Sequence, residues 1–144
     1  MLKGIDPLLG PELLHILRAM GHGDELVIVD ANFPATTCAK RLVRLDGVDA
    51  PPVLAAVLSL LPLDDFVDAP VAYMAVVGDP TVIPEITKEF QQVADGAEGK
   101  PVRAERIDRF AFYERARNAF AIVATNERRL YGNVILKKGV IRPK

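Results

Sequence analysis

Residues 21–34 read GHGDELVIVDANFP. A histidine stands between two glycines, an acidic pair follows, and a short apolar run then ends on Asp30. The run LVIV does not alternate with polar residues and is rich in β-branched side chains, which predicts a strand covered on both faces. A strand of that kind needs helices on either side of its sheet, so this stretch argues for an α/β fold before any other element is read.

Working outward, GPELLHILRAMGHG predicts a helix. Pro11 suits its first position, Glu12 complements the positive end of the dipole, and Leu13, Leu14, Leu17 and Met20 share one face. Gly21 is the expected stop. On the other side, RLVRLDG predicts a second, more exposed strand. DAPPVLAAVLSLLPL is apolar on most sides and predicts a buried helix, with Asp49 or Ala50 as cap and Pro62 near its exit. PVAYMAVVGD is a further buried strand ending in a glycine turn. IPEITKEFQQVADG is an amphipathic helix expected to stop at Gly96, with GAEGKP as a polar loop. VRAERID alternates like an edge strand, FAFYERARNAF is helical, AIVATN is a strand, and YGNVILKKG is a turn into a last strand.

Strands thus alternate with helices along most of the chain. The expected architecture is a single α/β domain over residues 1–144, three layers (α/β/α) around a largely parallel or mixed sheet. Ligands of such sheets gather outside the carboxyl ends of strands, and Asp30, Asp79 and Asn126 fall where apolar runs end.

Composition narrows the function. Eighteen basic and nineteen acidic residues leave a formal charge of −1, so no field of one sign is available to attract nucleic acid or an anionic membrane. Half the residues are apolar, yet the longest apolar stretch, VLAAVLSLLPL, falls well short of the ~20 residues of a spanning helix. The stretch MLKGIDPLLGPELL does not read as a signal peptide, and the single cysteine, Cys38, permits no intrachain disulfide. A cytoplasmic protein is expected. Neither GxGxxG opening a helix nor GxxxxGK[ST] is present, so no nucleotide cofactor is expected.

His22 is the most informative single residue. An unperturbed imidazole titrates near pH ~6.5 and exchanges protons readily at neutral pH. The competing reading is a helix-end histidine held by the dipole. His22, Asp24 and Asp30 offer nitrogen and oxygen donors, but no second histidine stands at i+2 or i+4, and no metal is expected. Four steps of ~3.3 Å separate residues 26 and 30 by about 13 Å, so His22 shares a site with Asp30 only if the glycine hinge folds back or two subunits meet. Arg109 precedes an apolar helix face and is not explained as core. Tyr131 and Asn133 flank the turn residue Gly132 and offer a flat ring, a hydroxyl and an amide, which suits a sugar and equally an ordinary turn.

In order along the chain, GHGDELVIVDANFPA, RFAFYERARNAFAIVATNER and YGNVILKKGV resemble the L-fucose mutarotase and D-ribose pyranase family. The resemblance runs from LKGIDPLLG to LKKG, nearly the whole chain, and RFAFYERA with DANFP favours the fucose branch. It implies interconversion of the α and β anomers of a free reducing sugar, a reaction without cofactor or metal. It implies His22 as the catalytic proton donor and sugar contacts from Asp30, Arg109, Tyr131, Gly132 and Asn133. It further implies a homo-oligomer, a decameric ring being the candidate arrangement, with sites close to subunit boundaries. The alternatives are a D-ribose pyranase and a monosaccharide-binding protein without turnover, linked to sugar transport.

Overall fold

In the computed structural model, which describes residues 1–144, the apolar run becomes an interior strand. The elements are α1 (Pro11–Ala19), β1 (Glu25–Val29), α2 (Ala35–Cys38), β2 (Leu42–Leu45), α3 (Ala50–Leu58), β3 (Val71–Met74), α4 (Glu85–Glu98), β4 (Ala104–Ile107), α5 (Arg109–Asn118), β5 (Ala121–Thr125) and β6 (Val134–Lys137). They form one six-stranded sheet in the order β2-β5-β1-β6-β3-β4. β2, β5 and β1 pair in parallel, as do β3 and β4. β6 runs antiparallel to both of its neighbours, β1 and β3. It is therefore the one strand that opposes the other five.

Alternation along each strand divides the core into two layers. Leu26 and Ile28 of β1, with Val43, Val71, Tyr73, Val123, Val134 and Leu136, face α1, α3 and α4. Val27 and Val29, with Ala72, Ile122 and Ile135, face α2 and α5 through Cys38, Phe112 and Ala116. The expected α/β/α layering and mixed sheet are what the structure has. The two more polar strand readings, RLVRLDG and VRAERID, are the two edges of the sheet. No helix is long and apolar enough to cross a membrane.

Two helix ends differ from expectation. α4 does not stop at Gly96 but runs to Glu98 and ends on Gly99 in the left-handed region, φ 69°. Asp95 accepts from Val102 N at 2.8 Å, and Glu98 accepts from Leu63 N at 3.1 Å. These contacts hold the last turn against the ~1 kcal/mol that an interior glycine costs. At α1 the stop is not Gly21. Met20 already turns extended, and the Lys138 ammonium donates to the carbonyls of Leu17 and Met20. A cation distant in sequence thus caps the negative end of the helix. The four-residue α2 is too short for periodicity to reveal.

Just beyond β6, Gly139 N donates to Pro62 O at 2.8 Å, and Leu63 bridges to Lys138. A Cβ at Gly139 would lie 2.5 Å from Leu63 O, so this close backbone approach admits only glycine. Gly139→Ala is expected to lower unfolding free energy in urea by about 1–3 kcal/mol, as overpacking does. Gly96→Ala, whose added methyl meets nothing within 4 Å, is expected to raise it by about 0.5–1 kcal/mol.

Candidate functional site

The strand directions decide which residues can meet. β1, β3 and β4 end on the same edge of the sheet, and β6, being reversed, begins there. Asp30 follows β1, Arg109 follows β4, and Tyr131, Gly132 and Asn133 precede β6. Five of the six residues singled out in the sequence are brought to one carboxyl edge.

Asp30 and Asn133 form a reciprocal pair. Asp30 N donates to Asn133 Oδ1 at 2.9 Å, and Asn133 Nδ2 donates to Asp30 Oδ2 at 3.1 Å. Both residues are buried. Burial pushes the Asp30 carboxyl above its ordinary range, and donation from Asn32 N, Asn133, Gly132 N and Phe33 N offsets only part of that. The turn that delivers Asn133 is unusual. Tyr131 has φ 64°, a left-handed conformation that few bulky residues adopt. A Cβ at Gly132 would lie 2.7 Å from Glu127 Cγ and 3.3 Å from Asp30 Cβ. Gly132 is thus required by the closeness of the Glu127 and Asp30 side chains, not only by the turn.

Beneath this turn, Glu127 is buried and pairs with Arg129 through two bonds of 2.9 and 3.0 Å. Arg129 reaches on to Glu89 at 2.6 Å. Hydrogen bonds from the Arg129 guanidinium, opposed by burial, hold the Glu127 carboxyl below its ordinary value. Ala31 N also donates to Glu127 O at 2.9 Å, tying the loop after β1 to the loop after β5.

The remaining side chains close a concave site of about 230 Å³ lined by Asp30, Asn32, Arg109, Tyr131 and Asn133 on its polar side. Phe33, Met74 and Tyr113 are among the residues of the other wall. Phe33 and Tyr113 meet edge to face with centroids 5.3 Å apart. Tyr131 Oη accepts from Val77 N at 3.1 Å, which leaves its own hydrogen to donate. Arg109 has no carboxylate within salt-bridge reach and rests over the Phe110 ring at 4.8 Å. Its charge is free for a ligand. The site is smaller than the roughly 300–1,000 Å³ of pockets for drug-sized molecules.

Asn32, Phe33, Met74 and Tyr113 were not singled out in the sequence. Asn32 and Phe33 lie inside DANFP, and Tyr113 inside RFAFYERA, so the signal existed as a string without a role for each residue. The strand-end argument also pointed to Asp79 and Asn126, and it fails for both. Each is exposed and outside the site. Asp79 caps its own turn through Thr81 N, and Asn126 contributes a backbone bond to Val48 O.

His22 lies at the opposite edge. Gly23, φ 86°, donates its N–H to Lys138 O at 2.8 Å, which anchors the hinge beside the end of β6. The hinge does not fold back, and the whole of β1 separates His22 from Asp30. His22 Nε2 lies 3.0 Å from Asp64 Oδ1, and its ring packs on Phe66 with centroids 5.1 Å apart. The imidazole side chain is 43% exposed while Asp64 is 3% exposed. The helix-dipole reading of His22 is replaced by this carboxylate contact. Asp64 carried no signal in the sequence, since it sits in a loop far along the chain.

Comparison with known proteins gives a family model, described as the RbsD / FucU transport protein family, that matches residues 3–141. An L-fucose mutarotase of Actinobacillus pleuropneumoniae is 44% identical over 140 residues, 97% of this chain and 97% of that protein. A fucose mutarotase of Homo sapiens is 47% identical over 146 residues, 97% of this chain and 94% of that protein. The crystal structure of a fucose mutarotase in complex with L-fucose, from Streptococcus pneumoniae, superposes with a TM-score of 0.90. It shares 45% identity, over 98% of this chain and 100% of that one.

The Glu127 pair generates a prediction with a defined sign. Its carboxyl titrates lower folded than unfolded, so the stabilisation is complete above the ordinary value of 4.5 and is lost as pH falls through the folded value. Thermal denaturation across the acid range is expected to show the melting temperature dropping below pH 4.5. Arg129→Ala is expected to flatten that dependence and to lower stability at neutral pH by about 1–3 kcal/mol, a buried-pair loss discounted because the arginine is half exposed.

Proposed function

The chain belongs to the RbsD / FucU transport protein family, and from that premise we infer that it is a mutarotase, interconverting the α and β anomers of L-fucose. One observation carries the reading on the structural side. A monosaccharide-sized site combines a free guanidinium, a carboxylate–amide pair and a tyrosine hydroxyl with a spare hydrogen. A pyranose presents hydroxyls of both hydrogen-bonding senses around an apolar ring, and this wall offers a partner for each.

Mutarotation delivers a proton to the ring oxygen and removes one from the anomeric hydroxyl. The bond between the anomeric carbon and the ring oxygen breaks, and a carbonyl forms. Rotation about the adjacent carbon–carbon bond and closure on the other face reverse both transfers. His22 is the proposed proton donor, acting as acceptor in reverse. Asp30, Tyr131 and Asn133 hold hydroxyls, with the Gly132 backbone allowing their close approach. Arg109 remains charged throughout, so its part is contact with hydroxyl oxygens and stabilisation of developing negative charge.

Because His22 and Asp30 occupy opposite edges, the proposed site is completed by His22 of a second copy. Phe66 and Val67 are exposed beside His22, and Val77, Phe110 and Leu130 are exposed around the other edge. Apolar patches on unlike ends favour head-to-tail contact, which closes into rings when the rotation permits. This reading agrees with the homo-oligomeric ring that the family resemblance implies, a decamer being the arrangement to test. The lone Cys38, buried in the core, suits the reducing cytoplasm.

Magnetisation-exchange NMR with L-fucose, D-ribose and D-galactose tests the reaction. Catalysed exchange is expected for L-fucose, and exchange no faster than in buffer would sink the enzyme reading. His22→Ala is expected to lower kcat by about 10²–10⁴-fold while sugar affinity changes little. Arg109→Ala is expected to weaken affinity while stability stays within about 0.5 kcal/mol, since no partner is orphaned. Co-expressing His22→Ala with Asp30→Ala tests the shared site. In mixed rings about a quarter of sites then hold both native residues. Activity recovered in the mixture supports a site built from two copies, and no recovery indicates a site within one chain.

A further inference from the structure

We propose that the Glu127–Arg129 ion pair preassembles the sugar-binding turn, holding Tyr131, Gly132 and Asn133 in place before a ligand arrives. Both are positioning residues: neither lines the concavity, and each acts through that turn. The proposal rests on the reading of the concavity as a sugar site. The stretch from Arg128 to Asn133 belongs to no helix or strand, and none of the loop backbone bonds of good geometry begins or ends on it. It also carries Tyr131 at φ 64°. A bulky residue stays in that region only where its surroundings fix it. Side-chain bonds therefore supply the order that the backbone does not.

Glu127 is the fixed post. Thr125 Oγ1 donates to Val29 O at 2.8 Å and accepts from Glu127 N at 3.2 Å, while Ala31 N donates to Glu127 O at 2.9 Å. The main chain of Glu127 is thus tied to the residues on both sides of Asp30. Its carboxylate then receives Arg129 three times. Oε1 accepts from Arg129 N at 3.0 Å and from Nε at 2.9 Å, and Oε2 accepts from Nη2 at 3.0 Å. The last arm of the guanidinium, Nη1, donates to Glu89 of α4 at 2.6 Å. Folded back in this way, the chain brings Glu127 Cγ and Arg129 O against Gly132. The turn's other ties, from Gly132 N and Asn133 to Asp30 and from Val77 N to Tyr131, end on groups that face the sugar. Only the bonds around Arg129 stand clear of it. A half-exposed ion pair with one buried carboxylate adds little net stability for its desolvation, so its place beside Gly132 is better explained by what it positions.

Affinity, turnover and order of the turn are read separately. Amide hydrogen exchange over residues 128–133 of the unmutated protein is expected to show protection without sugar. In Arg129→Ala the same segment is expected to exchange faster and to regain protection with saturating L-fucose. Calorimetric affinity for L-fucose is expected to fall at least about tenfold, with KM following, while kcat stays within about threefold. A tenfold loss corresponds to a turn assembled in about one tenth of the free molecules. Arg129→Lys keeps a charge contact with Glu127 and should recover part of the affinity. Glu127→Gln keeps its shape against Gly132 and carries the same expectation where Arg129→Ala does not fold. Folded variants that bind as tightly as the unmutated protein overturn the proposal, whatever their melting temperatures. So does a fall in kcat at unchanged affinity, and so does an unprotected turn in the sugar-free unmutated protein. If the unmutated protein does not bind L-fucose, the sugar reading fails and the proposal with it. Binding without catalysed exchange overturns the reaction alone, and affinity then decides the proposal.

Discussion

The reversal of β6 is the constraint on which the rest depends. Inserted between β1 and β3, it satisfies the backbone of both while running against them. Its first residue follows Asn133, which bonds back to Asp30 at the end of β1. Its last residues seat the Gly23 hinge on one side and the Leu63–Asp64 segment on the other. One strand thus organises polar groups at both edges of the sheet. A parallel strand in that slot would bring neither Tyr131 nor Asn133 to the carboxyl edge.

The carboxyl edge shows how a polar site is kept open in a protein interior. Asp30 is buried and its carboxyl is raised, yet four donors meet it. Glu127, one turn below, is also buried and is held ionised by Arg129. Both side chains pack close to Gly132, and only Glu127 has a full counter-charge. The nearby Arg109 guanidinium, lacking a carboxylate of its own, lines the same concavity as the other. The concavity thus sets a guanidinium and a buried carboxyl group beside an amide and a tyrosine hydroxyl.

Much of this was legible in the sequence. The unbroken run at residues 26–29 announced a doubly covered strand, and the alternating stretches announced the edges, because burial on one or two faces writes a period into the chain. Family-like strings located five residues that the structure gathers at one edge. What was not legible depended on long-range contacts. Gly96 fails to stop α4 because Glu98 and Asp95 find partners outside the helix. Lys138 ends α1 from the far end of the chain. Asp64 meets His22 from forty-two positions away, and no local pattern encodes such a meeting. Asp79 and Asn126 satisfied the strand-end rule but spend their polar groups on local turns and backbone.

The length of β1 has a consequence for how the protein behaves in a cell. Five residues hold the imidazole and the carboxylate–amide pair at opposite edges. On the reading proposed above, an isolated newly made chain is then correctly folded and yet inert. Turnover begins only at the encounter of copies, so specific activity falls on dilution as subunits part. On that reading, assembly itself would act as the switch.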